Sequence, residues 1–237
     1  MSRFPTTRWS VVLSARSGSR LALAELLRNY WQALYAFARR SGATAADAQD
    51  ATQSYFLRFI EKDFIASVDA DRGRFRSFLL ASFKHYAANE REHRAARKRG
   101  GDRLHLSLDF AAADALYKTE DTAALSAEQL YDRRWALTVM GRAMERLEED
   151  ETQAGNQRRF AHLKPFLTGD DEGVTYEQQG RKLGLEVSAM KVAVHRLRKR
   201  YGEYLRAEVA ETAADNADVD DELKTLLGAV SQSSNSR

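Results

Sequence analysis

Lys191, His195, Arg196, Arg198, Lys199 and Arg200 fall within the stretch 191–200, and the apolar residues beside them, Val187, Met190, Val194 and Leu197, recur at helical spacing. A helix so composed buries one face and turns a cationic face outward. Such a face suits one kind of chemistry, the neutralisation of phosphate oxygens and the presentation of hydrogen-bond donors to base edges in a DNA groove. Bond-making chemistry has no comparable cluster. Cysteine is absent, the five histidines His85, His93, His105, His162 and His195 are scattered without ligand spacing, and no glycine-rich phosphate cradle occurs. No catalytic residue, metal centre or cofactor site is therefore expected, and His195 reads as a polar residue of the cationic face.

The basic helix is the second of a pair. Residues 176–183 are helix formers, Gly184 supplies a stop, and the basic helix follows after a short turn, a helix-turn-helix at 175–201. A short helix, a glycine and a longer helix are also an ordinary corner of a helical protein, so spacing alone leaves a DNA-reading face and a merely solvated one both open.

The stretch resembles the last helix pair of bacterial extracytoplasmic-function RNA polymerase sigma factors. Their pattern runs Tyr-Glu-Glu-Ile-Ala-x-x-Leu-Gly-x-Ser-x-x-Thr-Val-Lys-x-x-x-His-Arg-Ala-Arg. Tyr176, Glu177, Leu183, Gly184, Lys191, His195, Arg196 and Arg198 fall in register with it. Gln179 and Gly180 stand where Ile-Ala is usual, and Glu186 where a serine would cap the second helix. The resemblance implies that Ser188, Lys191, Val192, His195, Arg196 and Lys199 enter the major groove of a minus-thirty-five promoter element.

Composition sets the frame for this reading. A chain of 237 residues has room for two small domains of about 100 residues each. Lys and Arg number 37 against 34 Asp and Glu, a net charge of only +3, so the cations matter through clustering rather than in sum. No stretch approaches the ~20 apolar residues of a membrane span and no export signal opens the chain, so no membrane partner and a cytoplasmic location are expected. Two prolines and little β-branched alternation predict an all-α fold. The expected organisation is two small helical domains joined by a flexible linker. By resemblance these are sigma domain two at 1–99, the linker at 100–125, sigma domain four at 126–209, and at 210–237 an acidic spacer, a short helix and a disordered tail.

Three helices are expected in the first domain after a short N-terminal helix around Trp9. Leu23, Leu26, Leu27, Tyr30, Trp31, Leu34, Phe37 and Ala38 form one amphipathic stripe ended by Ser41-Gly42. A helix beginning at Thr44 or Ala45 turns Ala48, Tyr55, Phe56 and Phe59 inward. It resembles the Asp-Ala-Glu-Asp-Leu-Thr-Gln-Glu-x-Phe motif with which these sigma factors grip the coiled coil of the polymerase β′ subunit. Asp47, Ala48, Asp50, Thr52, Gln53 and Phe56 match, while Gln49 and Ser54 replace two glutamates. The resemblance implies core RNA polymerase, through its β′ and β subunits, as a partner, with Asp47, Gln49, Asp50, Gln53 and Ser54 as docking residues.

The two missing anions predict weak docking, because opposite charge governs encounter and register at such an interface. A phosphate adds about 1.5 to 2 negative charges, so phosphorylation on this helix would restore the surface. A subgroup of these sigma factors is similar in lacking the full acidic motif and in being associated with Ser/Thr kinases. Carried over, the modified residue is Thr52, with Ser54 as rival because it shares the outward face of Asp47 and Asp50 whereas Thr52 lies closer to the core positions. Both hydroxyls as plain helix-surface groups remain open as well.

In the third helix Phe75, Phe78, Leu79, Ser82, Phe83 and Tyr86 form the expected buried stripe, with Arg76, Lys84, His85, Arg91 and Arg94 off it. The resemblance implies that this helix melts the minus-ten element, Lys84, His85, Asn89, Arg91 and Arg94 being the candidates. The basic run continues through Arg97, Lys98, Arg99 and Arg103. In the expected linker, Asp109, Asp114, Glu120 and Asp121 are either ordinary polar residues or mimics of a nucleic-acid backbone. Leu130, Trp135, Leu137, Val139, Met140, Met144 and Leu147, then Phe160, Leu163, Phe166 and Leu167, are expected to supply the second domain's core.

Taken with the resemblance, these residues predict a sigma factor that directs core polymerase to promoter DNA and is switched by a Ser/Thr protein kinase. A stand-alone helix-turn-helix regulator and an all-helical adaptor with solvated basic faces are the alternatives from other classes.

Overall fold

A computed structural model describes residues 20–61, 75–96, 108–119, 124–169, 173–210 and 216–231. Within them every regular element is a helix, and no strand occurs. In chain order these are α1 (Arg20–Arg40), α2 (Ala45–Glu61), α3 (Phe75–Ala96), α4 (Phe110–Thr119), α5 (Ala127–Gln153), α6 (Gln157–Leu163), α7 (Pro165–Thr168), α8 (Tyr176–Leu183), α9 (Val187–Ala210) and α10 (Asn216–Ser231). Two compact units divide the chain, 1–138 together with 209–237, and 139–208. The helix expected around Trp9, the cations Arg97, Lys98, Arg99 and Arg103, the acids Glu120 and Asp121, and the extreme C-terminus lie outside the described residues.

In the larger unit α1 is central rather than one-sided. Tyr30, Trp31, Ala33, Leu34, Tyr35, Ala36, Phe37 and Ala38 are all buried, the mark of a helix with packing partners around its circumference. Aromatic edges supply that packing. Tyr30 meets Phe75 of α3 at 5.5 Å, Phe37 meets Phe83 at 6.1 Å, and Trp31 meets Phe110 of α4 at 5.1 Å between ring centroids. Gly42 ends α1 with φ of 92°, and Thr44 then caps α2 by accepting from Asp47 N at 3.1 Å. Ala48, Tyr55, Phe56 and Phe59 of α2 are buried as the periodicity predicts.

The stretch read as a linker holds α4, and α4 is docked. Asp109 Oδ1 accepts from Ala112 N at 2.9 Å and starts the helix. Phe110 and Ala113 are buried, and Tyr35 of α1 donates to Asp114 Oδ1 at 2.8 Å. Asp114 also meets Arg39 Nε at 3.1 Å and Lys118 Nζ at 2.8 Å, so this carboxylate, open from sequence between an ordinary polar residue and a backbone mimic, is engaged within the fold. Burial, its hydrogen bond to Asp114 and that carboxylate's charge push the Tyr35 phenol up to about 12.

Helix α5 opens on a capping box in which Ser126 Oγ accepts from Gln129 N at 3.1 Å and Gln129 Oε1 accepts from Ser126 N at 2.8 Å. Its first turns belong to the larger unit, which corrects the expectation that Leu130 and Trp135 build the second domain's core. Trp135 lies under Arg76, whose guanidinium carbon is 4.7 Å from the ring centroid. Arg76, expected off the buried stripe, is 6% exposed, pairs with Asp132, and donates to Glu222 Oε2 of α10 at 3.1 Å. Burial opposes the charge on Arg76, and Glu222 and Asp132 outweigh it, holding the guanidinium above its usual range. The short helix expected near the C-terminus is thus a 16-residue element of the larger unit, with Val219, Glu222 and Leu226 buried.

The smaller unit has one core. Leu147 of α5, Phe160 and Leu163 of α6, Phe166 of α7, and Met190, Ala193, Val194 and Leu197 of α9 cluster together, with Tyr176, Leu183 and Leu185 packed against them.

Candidate nucleic-acid interface

Helix α8 is held at both ends. Thr175 Oγ1 accepts from Gln178 N at 3.2 Å while Gln178 Oε1 accepts from Thr175 N at 3.4 Å, a closed capping box. Gly184 ends the helix in the left-handed region at φ of 66°, a conformation costing an L side chain about 1–2 kcal/mol. Leu185 N then donates to Gly180 O at 2.9 Å. A Cβ on Gly180 would stand 2.5 Å from Leu185 O and 3.2 Å from Met190 Cγ, so this turn closes as tightly as it does over a glycine. Gln179, the neighbouring departure from the family pattern, is buried with Oε1 2.7 Å from His162 Nδ1, which satisfies a polar group at a core position. Tyr176 stacks on Phe166 with centroids 4.4 Å apart and planes within 9°.

Helix α9 divides along its length. Met190, Ala193, Val194 and Leu197 are buried, whereas Ser188, Lys191, Val192, His195, Arg196 and Lys199 are exposed. All six residues expected at a minus-thirty-five element therefore share one outward face, at the 3.6-residue period that sets them opposite the core stripe. The run of cations is not a single surface, however. Arg198 donates to Phe166 O at 2.8 Å, and Arg200 pairs with Glu151 and lies 3.9 Å from Asp150, so these two fasten α9 to α7 and α5. Lys191, His195, Arg196 and Lys199 make no ion pair among the described residues. Arg159 of α6, which sequence reasoning did not single out, is exposed and lines one concavity with Ser188, Val192 and Arg196. The periodicity of α9 could not have found it, because it comes from another helix.

In the larger unit the expected docking residues of α2 separate. Asp47 and Asp50 are exposed and Gln49 and Ser54 half-buried, but Gln53 is buried, which removes it from the outer face. Asp47 is also engaged by the helix cap, since the Thr44 hydroxyl donates to its Oδ2 at 2.7 Å. Thr52 is wholly buried, and its hydroxyl donates to Ala48 O at 2.7 Å. Beside this face a cleft of about 350 Å³ is lined by Phe37, Ala51, Phe83 and Ala87 together with the carboxylates Asp47 and Glu90.

Of the minus-ten candidates, Lys84, His85 and Asn89 are exposed on α3. Lys84 pairs with Glu128 at 2.6 Å and holds that carboxyl below the usual carboxylate range. Arg91 and Arg94 lie on the described course of α3, their side chains outside the described residues. Among the described residues no group of His, Asp or Glu is placed to hold a metal ion, and no helix is long and apolar enough to cross a membrane. Set against known proteins, the chain matches no family model, no curated protein and no solved structure, so its function is to be read from these residues and their geometry.

Proposed function

We propose that the chain is an RNA polymerase sigma factor of the extracytoplasmic-function type, acting in the cytoplasm without catalysing bond chemistry itself. The observation that carries this reading is the sorting of α9, whose Lys191, His195, Arg196 and Lys199 face outward while Arg198 and Arg200 hold the helix in place behind a tightly closed turn. A recognition helix needs that separation, because side chains spent on positioning cannot reach base edges. In this role α9 takes the minus-thirty-five element, Lys84, His85 and Asn89 with Arg91 and Arg94 take the minus-ten strand, and Asp47, Asp50 and Gln49 dock the polymerase β′ coiled coil. The cleft between Asp47 and Glu90, apolar with two anions, suits the basic amphipathic side chains of such a partner.

Switching by a Ser/Thr kinase fits the thin anionic surface of α2. Ser54, half-buried, is the hydroxyl within reach of a kinase on the folded helix, and Thr52 becomes available only when the packing of α2 opens. Run-off transcription with purified core polymerase tests the whole reading. Promoter-dependent transcripts from the phosphorylated chain, or from the unmodified chain at higher concentration, are expected, and their absence in both forms sinks it.

A stand-alone helix-turn-helix regulator is the second reading. It is favoured by the burial of Gln53 and the commitment of Asp47 to its helix cap, which leave α2 a sparse docking face. DNA binding and repression without any association with polymerase would establish it instead.

A further inference from the structure

Val192 stands out on the face it belongs to. It is 50% exposed, and Lys191, His195, Arg196 and Lys199 around it on α9 are exposed basic side chains. A lone apolar residue on a surface needs no explanation. Val192, however, is not alone, because it lines a concavity of about 350 Å³ with Leu185, Ala189, Ser188, Arg159 and Arg196. An apolar patch flanked by two guanidiniums suits an occupant that is anionic around an apolar group, rather than an apolar peptide or a second basic face.

Duplex DNA has that composition at one kind of position. In the major groove the C5-methyl of thymine is the apolar group on the base edges, and phosphates run along both walls. We infer that this concavity is a thymine-reading site. Val192, with Leu185 and Ala189, covers the methyl of one thymine. Arg196, one turn further along α9, meets the neighbouring base edge, and Arg159, outside the recognition helix, pairs with a backbone phosphate. The inference rests on α9 being a DNA-reading helix and adds the base it reads.

The test begins by selecting sites from random duplexes with the full chain, alone and with core RNA polymerase. The selected duplex is then remade with deoxyuridine at each thymine in turn, which removes only the methyl. One thymine is expected whose replacement weakens binding about fourfold, the worth of one buried methyl at roughly 0.8 kcal/mol. That effect is lost in Val192→Ala and kept in Val192→Ile. Arg159→Ala lowers the log-log salt slope of binding by about 0.9 and leaves the methyl effect in place. If a site is selected but no thymine methyl matters, or one matters equally in Val192→Ala, the thymine pocket is overturned while DNA reading stands. If Arg159→Ala leaves the slope unchanged, its phosphate pairing is overturned. If no sequence is recovered with or without polymerase, the DNA-reading role fails and the thymine site with it.

Discussion

Glu222 of α10 holds Arg76 of α3 across 146 residues of chain, with Oε2 accepting from the guanidinium at 3.1 Å and both side chains almost wholly buried. Removing one member of such a pair leaves a charge in the interior and typically costs about 3–5 kcal/mol. Glu222→Ala and Arg76→Ala are each expected to lower unfolding stability by an amount in that range. Asp132→Ala should cost less, because Asp132 keeps 32% of its side chain in solvent and Glu222 remains on Arg76. Urea denaturation of the three variants checks the order, and equal losses would mean that Asp132 and Glu222 are equivalent partners.

Gly180 and Gly184 should fail differently when changed to alanine. At Gly184 the cost is backbone conformation alone, about 1–2 kcal/mol, since nothing lies within 4 Å of the added Cβ. At Gly180 the added carbon meets Leu185 O at 2.5 Å, so the turn itself must open. Gly180→Ala is therefore expected to shift the turn and weaken both stability and sequence-selective DNA binding, while Gly184→Ala retains binding at reduced melting temperature. Electrophoretic mobility shifts beside thermal melts distinguish the two.

The cations of α9 divide into two experimental classes. Lys199→Ala should reduce the log-log salt slope of DNA binding by about 0.9 for each phosphate the native side chain neutralises, whereas Arg196→Ala, which removes a base-edge contact, should relax sequence preference. Arg198→Ala and Arg200→Ala should leave the slope intact and lower stability, because those side chains hold Phe166 O and Glu151. A slope change with Arg198→Ala would overturn this division.

On α2, an acidic residue at Thr52 would place a carboxylate at a position with no exposure, which costs several kcal/mol unless the helix shifts. Thr52→Glu is accordingly expected to melt well below the parent chain, whereas Ser54→Glu keeps its melting temperature and binds core polymerase more tightly. Pull-down alongside calorimetry reads both. Tighter polymerase binding by Thr52→Glu at unchanged stability would favour Thr52 as the switch.

Acid should loosen α4 first. Lys118, then Tyr35, hold the Asp114 carboxyl below the usual range. A depressed acid contributes stability that is present above its unfolded value of about 3.9 and is lost as pH falls through the lower, folded one. The Tyr35 phenol, raised to about 12, contributes below its unfolded value of about 10 and loses that contribution as pH rises through the folded one. The stability advantage of the parent chain over Asp114→Asn should thus be flat from about pH 5 to 9 and vanish toward pH 2. An advantage independent of pH would show that Asp114 acts without its charge.

What could be read from residue order alone follows the range of the forces involved. The capped α8, the stop at Gly184 and the two-faced α9 depend on neighbours within a few positions, and the spacing of Thr175, Gly184, Met190 and Leu197 shows them directly. The burial of Arg76 depends on an acid far along the chain, and no local pattern announces it. Helix α4 was legible in part, since Asp109 precedes an alanine-rich run, but the alternation of Leu104, Leu106 and Leu108 before it obscured the change of period. At Thr52 the two kinds of reading diverge: the motif match ranks it first as the modified residue, whereas its helical position relative to Ala48 and Phe56 points inward, where the structure has it.

Because α10 supplies the acid that neutralises Arg76, the larger unit stays unfinished until the ribosome has made that helix. At ordinary elongation of about 5–20 residues per second, Arg76 waits roughly 7–30 s for Glu222 to be made. Stalled nascent chains lacking α10 should then be cut by protease where chains that include it are not.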